Sequence, residues 1–289
     1  MAGHTRADVP RPGGPAPNVE AARGLNQASA MLAFSVLFDS AIEHYRADFF
    51  NKAMYAPLVS STASILASLH GVGDTRQGSH AFRHAALALA GLTGLAGGAF
   101  HVYNVGRREG GFGFQNLFYA APLGAPYALI LSGVLGAAAE WVRDAEPDEP
   151  KLLGVEADRI LAGMTSLGLL GTVGEAGLLH FRGAFQNPAM VIPVALPPVA
   201  AALLAKAAAE ARQPGGSYPL TRWWLGATAA MGIAGVVFHS YGVARMMGGW
   251  RNWRQNLFDG PPLPAPPSFT GLALAGIAAL RLAERSGRD

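Results

Sequence analysis

The chain contains no cysteine, which excludes disulfides, thiolate metal sites and haem attached through Cys, and leaves the compartment open. Charge is scarce as well. Only 14% of the 289 residues are Asp, Glu, Lys or Arg, against about 25% in a soluble globular domain. Residues 84–103, 117–139, 187–205, 223–244 and 260–280 carry none of the four. A hydrocarbon core of about 30 Å needs roughly 20 apolar residues as helix, so the composition describes a polytopic membrane protein. Also missing are a Walker A loop, a dinucleotide glycine fingerprint, a serine nucleophile elbow and a His-Glu-x-x-His helix. A soluble-type enzyme therefore has no support. The net charge of +3 is too weak to argue for nucleic acid, and basic residues in such a chain follow topology and lipid headgroups.

What the chain does have is self-repetition, and repeats are read before anything else. Four stretches each run through an apolar segment to a His, then an Asn, then a Pro six residues on: His44/Asn51/Pro57, His101/Asn116/Pro122, His180/Asn187/Pro193 and His239/Asn256/Pro262. Copies one and three share His-aromatic-Arg and Asn-x-Ala-Met. Copies two and four share Gly-x-Ala-Gly-x-x-Phe-His-x-Tyr-x-Val-x-Arg (94–107 and 232–245) and Gln-Asn-Leu-Phe (115–118 and 255–258). The halves are offset by 136 or 138 residues.

Eight spans are expected, at about 26–45, 51–70, 82–104, 117–142, 159–181, 187–209, 222–244 and 257–281. Backbone inside lipid must pair internally, and these runs of Ala, Leu and Gly lack strict alternation, so they are helices. The expected fold is an all-α integral membrane protein: eight transmembrane helices forming an internally duplicated four-helix unit of four helical hairpins. Residues 1–24 read as a disordered Pro/Gly/Ala tail without a signal-peptide layout. Residues 25–143 form the first repeat, 144–158 an acidic linker and 159–285 the second repeat. Small residues at Gly91, Gly94, Gly97, Gly98, Gly168, Gly171, Gly174, Gly232 and Gly235 provide ridges for close helix approach. The prolines sit where the even helices begin, where a first turn tolerates them.

This topology puts the four His on one membrane face. That face holds eight of the 22 Lys and Arg and the opposite one fourteen. With both termini basic, the reading places the chain in a bacterial inner membrane, tails cytoplasmic and His face outside.

Three groups could carry chemistry. The first is the ring His44, His101, His180 and His239. Neutral imidazole ligates haem iron or divalent metals, and the repeat pairs His44 with His180 and His101 with His239, each pair suited to one haem b. The competing reading is a latch. A His in the last turn of a helix donates to free carbonyls and bonds the Asn-to-Pro segment of its hairpin, within a polar ring of Asn51, Asn116, Asn187, Asn256, Gln115, Gln186 and Gln255. The second group is the intramembrane acid pair Asp39 and Glu175, each five residues before a His, with Glu43 beside them and Arg46 and Arg182 as expected charge partners. Carboxyls within a span mark ion or proton routes when they face a cavity. The third group is the loop set 110–116 and 246–256, where Trp250, Arg251, Trp253 and Arg254 read as membrane anchors or a platform for a partner protein. His70, His80 and His84 cluster on the opposite face without a counterpart in the second half. No dedicated metal site is assigned.

The leading functional expectation is a membrane subunit or anchor of a redox complex, passing electrons from a docked partner toward quinone through haem b. The alternatives are a small-solute or ion/proton transporter with a pathway between the repeats, and a structural membrane scaffold.

Overall fold

The computed structural model describes residues 15–119, 123–146, 150–210 and 217–285. The tail up to residue 14, the Pro122 anchor and residues 147–149 of the acidic run at 144–149 lie outside the described residues. In chain order the elements are α1 (Pro17–Arg46), α2 (Ala56–Gly73), α3 (Ala81–Gly106), α4 (Phe114–Tyr119), α5 (Gly124–Asp144), a hairpin of β1 (Lys151–Leu152) and β2 (Val155–Glu156), α6 (Ala157–Arg182), α7 (Ile192–Ala209), α8 (Pro219–Arg245), α9 (Trp253–Asp259) and α10 (Pro267–Arg285). Short 3-10 turns at Lys52–Tyr55, Pro188–Val191 and Gly249–Asn252 lead into α2, α7 and α9.

The chain is all-helical apart from the two-residue strands, and six helices are long and apolar enough to cross a membrane. The two other long helices depart from the expected spans for separate reasons. In α2, Ser60, Ser61, Thr62, Ser64 and Ser68 dilute the apolar run. Helix α10 starts at Pro267 rather than near 257, because 253–259 forms the separate α9 and a proline-rich stretch follows it. Helix α1 begins at Pro17, inside the expected tail. Asn18 is fully buried there and donates to the carbonyls of Arg143 (3.2 Å) and Ala145 (2.8 Å), which anchors a turn whose polar sequence reads as solvent-exposed.

In the first half α1 and α3 each pack on α2 and α5; in the second, α6 and α8 each pack on α7 and α10. The halves join mainly along α1 and α10, with a slimmer contact between α5 and α6. Glycine permits the tightest crossings. A Cβ at Gly94 would lie 2.7 Å from the Ile130 nitrogen and 2.8 Å from the Pro126 oxygen; one at Gly232 would lie 2.9 Å from the Thr270 nitrogen and 2.8 Å from the Pro266 oxygen. The ridge expected on α6 is only partly used: Gly168 meets Leu131 and Leu272, whereas Gly171 and Gly174 face open space. The largest apolar core lies among α1, α5, α6 and α10. Leu92, Leu95 and Phe100 on α3, and Ile233, Val237 and Phe238 on α8, point outward, as contact with lipid requires.

Candidate functional site

His44 and His180 stand in the last turns of α1 and α6, where backbone carbonyls run out of helical partners. A carbonyl oxygen can only accept, so each ring donates from Nδ1: His44 to Met54 at 2.6 Å, His180 to Met190 at 2.8 Å and His239 to Pro262 at 2.6 Å. Each acceptor lies within the Asn-to-Pro segment of the same hairpin. The tether fixes the tautomer and leaves Nε2 as the ring's lone-pair nitrogen.

The loop after each of the first two rings repeats in detail. Phe49 and Phe185 close the turn by donating their N–H to the His44 and His180 carbonyls, both at 3.0 Å. Asp48 and Phe49 (φ 53° and 45°), and Ala184 and Phe185 (φ 55° and 47°), adopt the left-handed region that non-glycine residues rarely occupy. Each Phe ring then stands edge-on to its His, at 6.2 and 6.1 Å. In the longer loops of copies two and four the left-handed positions are glycines, at Gly110–Gly111 and Gly248–Gly249.

The rings of His44, His180 and His239 bond backbone carbonyls rather than the Asn amides expected of a direct His–Asn latch. Asn51 and Asn187 accept from the N–H of Ala53 (2.9 Å) and Ala189 (3.0 Å), capping the 3-10 turns. Asn116 donates to the Glu109 and Gly111 carbonyls, and Asn256 to those of Met247 and Gly249, so both gather their own loops. Gln255 accepts from Asn252, while Gln115 and Gln186 lie exposed on the same face. A short polar side chain bonds its nearest free backbone group first, and here that group is two to nine residues away rather than across the hairpin.

Within each half the rings lie close enough for their charges to interact, His101 with His44 and His180 with His239. Among the described residues no group of three or more His, Asp and Glu is arranged to hold a metal ion.

Asp39 on α1 and Glu175 on α6 come within electrostatic range of each other, with Glu43 adding a third negative charge near Asp39. Glu175 accepts the N–H of Gly124 in the first turn of α5, where a helix favours an anion. A Cβ at position 124 would collide with that carboxyl, so a side chain there would push Glu175 away from the helix N-terminus. The expected arginine partners are engaged elsewhere. Arg46 pairs with Glu43 at 3.5 Å, and the Arg182 guanidinium lies over the Tyr119 ring, 5.1 Å from its centre. Among the described residues no basic side chain pairs with Asp39 or Glu175.

On the same face α9 folds over the end of α1. Arg254 covers the Tyr45 ring at 5.5 Å, and Tyr45 packs on Phe258 at 5.7 Å. An open groove of about 360 Å³ lies between them, lined by Arg46, Asn252, Arg254, Gln255, Phe258 and Asp259. Trp250 and Trp253 are exposed at its edge.

Sequence reasoning missed the densest polar cluster, at the opposite end of the first half. Arg83 and Arg143 are wholly buried. Arg83 donates to Glu140 at 2.7 Å, to Asp74 at 3.0 Å and to His70 Nδ1 at 3.0 Å. Arg143 donates to the carbonyls of Asp74 and Gly71, both at 2.7 Å. His80 pairs with Asp74 at 3.0 Å. Two of the three clustered His are thus held by an arginine and a carboxylate. The available signal was Glu140 and Arg143, three residues apart at the end of an otherwise apolar run. A smaller clamp recurs in the second half, where Arg222 bonds both carboxylate oxygens of Glu284.

Burial raises the Asp74 carboxyl pKa, but hydrogen bonds from Arg76, Arg83 and His80 outweigh it and hold the group well below the usual carboxylate range. A depressed folded-state pKa contributes stability above the unfolded value, lost as pH falls through the folded one. Thermal stability in detergent should therefore drop steeply only at strongly acidic pH, and Asp74→Asn should flatten that acid limb.

Comparison with protein-family models, curated proteins and solved structures finds no match to this chain.

Proposed function

We propose that this chain is a membrane transporter for protons or small cations, built from two tandemly duplicated four-helix units with its path where they meet. The observation that carries this reading is the acid pair. Asp39 and Glu175 occupy equivalent positions, five residues before His44 and His180, and they approach each other across the boundary between the halves without a basic partner. A carboxyl within a span costs roughly 2.5–3.5 kcal/mol on insertion scales. Two such groups placed together serve packing poorly, and a shared proton or a bound cation relieves both costs.

The duplication is supported by contacts that recur in detail: His44–Met54 with His180–Met190, Asn51–Ala53 with Asn187–Ala189, and Arg107 on Tyr103 (5.6 Å) with Arg245 on Tyr241 (5.7 Å). Parallel repeats about an axis along the membrane normal are a known transporter plan. In a bacterial inner membrane with both termini cytoplasmic, the His face is the outer mouth of the path.

A second reading, a redox-complex anchor, is favoured by one observation. His44, His180 and His239 donate Nδ1–H to a carbonyl, the arrangement that orients imidazole for ligation through Nε2. On that reading the rings hold haem b, and the groove beside Arg254 faces a partner protein or quinone.

One preparation separates the two. In proteoliposomes, Asp39→Asn should lower proton or cation flux at least tenfold while the protein remains monodisperse. Unchanged flux in that variant, together with a reduced haem b absorption band in the purified protein, would replace the transporter with the redox anchor.

A further inference from the structure

The two acids of the pair are equivalent in the repeat but not in their surroundings. The offset that carries His44 onto His180 carries Asp39 onto Glu175. Gln-Asn-Leu-Phe at 115–118 and 255–258 runs without a gap into Pro-Leu-x-Ala-Pro at 122–126 and 262–266, which carries Gly124 onto Pro264. Contacts agree with that register: Gly94 lies against the Pro126 oxygen as Gly232 lies against the Pro266 oxygen. Gly168 of α6 meets Leu131 of α5, and Leu32 of α1 meets Gly271 of α10, the same two positions with leucine and glycine exchanged. The α6–α5 and α1–α10 seams are therefore built to one plan.

What differs is the start of the helix across each seam. Helix α5 begins at Gly124, whose N–H donates to Glu175. An N–H at a helix start carries part of the positive end of the dipole, so it favours the ionised carboxylate. The matching residue in the other seam is Pro264, and proline has no N–H to donate. Prolines occupy five of the seven positions 261–267, and α10 begins only at Pro267. Ala265 keeps an N–H but donates it to the Pro262 carbonyl. Ser35, one turn before Asp39, donates to the Pro264 carbonyl, which sets this donor-poor stretch against the Asp39 end of α1. Among the described residues Asp39 accepts no hydrogen bond. The charged groups that act on it are Glu175 on α6 and Glu43 on its own helix, both negative, and α2, α5, α9 and α10 add none.

We propose that the pair divides its work: Asp39 is the group that binds and releases the transported proton, and Glu175 is a fixed carboxylate that keeps the site negative. A proton added to Asp39 turns its carboxylate into a carboxyl, removes the repulsion from Glu43 and Glu175, and breaks no hydrogen bond. The same proton on Glu175 would give up the anion that the Gly124 N–H holds. Exchange needs no relay through the protein. Asp39 is partly exposed and stands seven residues before Arg46, about 10 Å along the helix from the His face. A divalent cation takes about six or more oxygen ligands, and among the described residues no group of three or more His, Asp and Glu is arranged to hold one. A proton needs one carboxylate. This inference rests on the transporter reading and deepens it by naming the proton and the residue that carries it.

The test is labelling of the reconstituted wild-type protein with dicyclohexylcarbodiimide, an apolar reagent that adds to a carboxyl in its protonated form. Peptide mass spectrometry locates the adduct. Both carboxyls are half-buried, so a difference in labelling reports protonation rather than access. Asp39 should be labelled at least tenfold faster than Glu175, at a rate that falls as the pH is raised. In Asp39→Asn the label should be lost rather than move to Glu175. Faster labelling of Glu175, equal labelling of the two, labelling of neither, or a rate at Asp39 that ignores pH overturns the assignment. Proton flux that Asp39→Asn abolishes, beside label on Glu175, removes the division of work and keeps the transporter. Labelling of Asp39 in a protein that shows no proton flux keeps the proton site and removes the transporter.

Discussion

Arg83→Leu is expected to destabilise the protein by about 3–5 kcal/mol, the usual cost of removing one partner from a buried ion pair. The arginine is wholly buried and bonds Glu140, Asp74 and His70 at once. Its loss leaves buried Glu140 with the His80 N–H at 3.3 Å and Arg143 at 3.8 Å, the latter too long for a good hydrogen bond. Asp74 keeps Arg76 and His80, so most of the cost falls on Glu140. The double variant Arg83→Leu/Glu140→Leu should recover much of the loss, because an apolar pair of similar volume has no desolvation penalty. Unfolding in mixed micelles measures both. Equal destabilisation of the single and double variants would show that packing around Arg83, rather than the stranded carboxylate, sets the cost.

The second large effect is expected at the crossing of α3 and α5. A Cβ at Gly133 would lie 2.5 Å from the Gly91 nitrogen and 2.6 Å from the Leu87 oxygen. Those atoms are backbone, so the helices must separate as rigid bodies. Helix propensity alone favours alanine over glycine by about 1 kcal/mol. Gly133→Ala should nevertheless cost about 1–3 kcal/mol or more, the range for overpacking a close contact. Gly171→Ala on α6, where nothing lies within 4 Å, should be neutral or stabilising in the same assay. The two glycines look alike in the sequence, so opposite signs would isolate the neighbour as the cause.

The membrane class and the helical architecture follow from composition and run length alone, because lipid admits no unpaired backbone and the charge-free windows are long enough to cross it. The repeated His, Asn and Pro marked where long helices end in polar turns, since the same short pattern builds closely similar turns after His44 and His180. Element boundaries were less legible. Helix α1 starts early because Asn18 finds carbonyls at the far end of α5, 125 and 127 residues away in the chain. Helix α10 starts late because α9 and a proline-rich stretch occupy the first part of that apolar run.

The sequence by itself determined what each segment could be: spanning helices, turns closed by their own Asn and capped by their own Pro, and imidazoles placed where helix carbonyls run out of partners. These are local properties, set within single helices and within hairpin contacts that span 10 to 23 positions. Only the tertiary structure decided which polar groups meet. It brought Asp39 near Glu175 while Arg46 turned to Glu43, and it gathered Ser29, Ser64, Ser68 and Ser132 into one buried cluster. It also buried Arg83 and Arg143, which the sequence alone counts as ordinary tail-side charges. Serines and arginines on separate helices carry no signal of their pairing, because a hydrogen bond between helices depends on the rotation and depth of both. Packing sets those two quantities, through contacts such as Gly91 on Gly133 that no single segment contains.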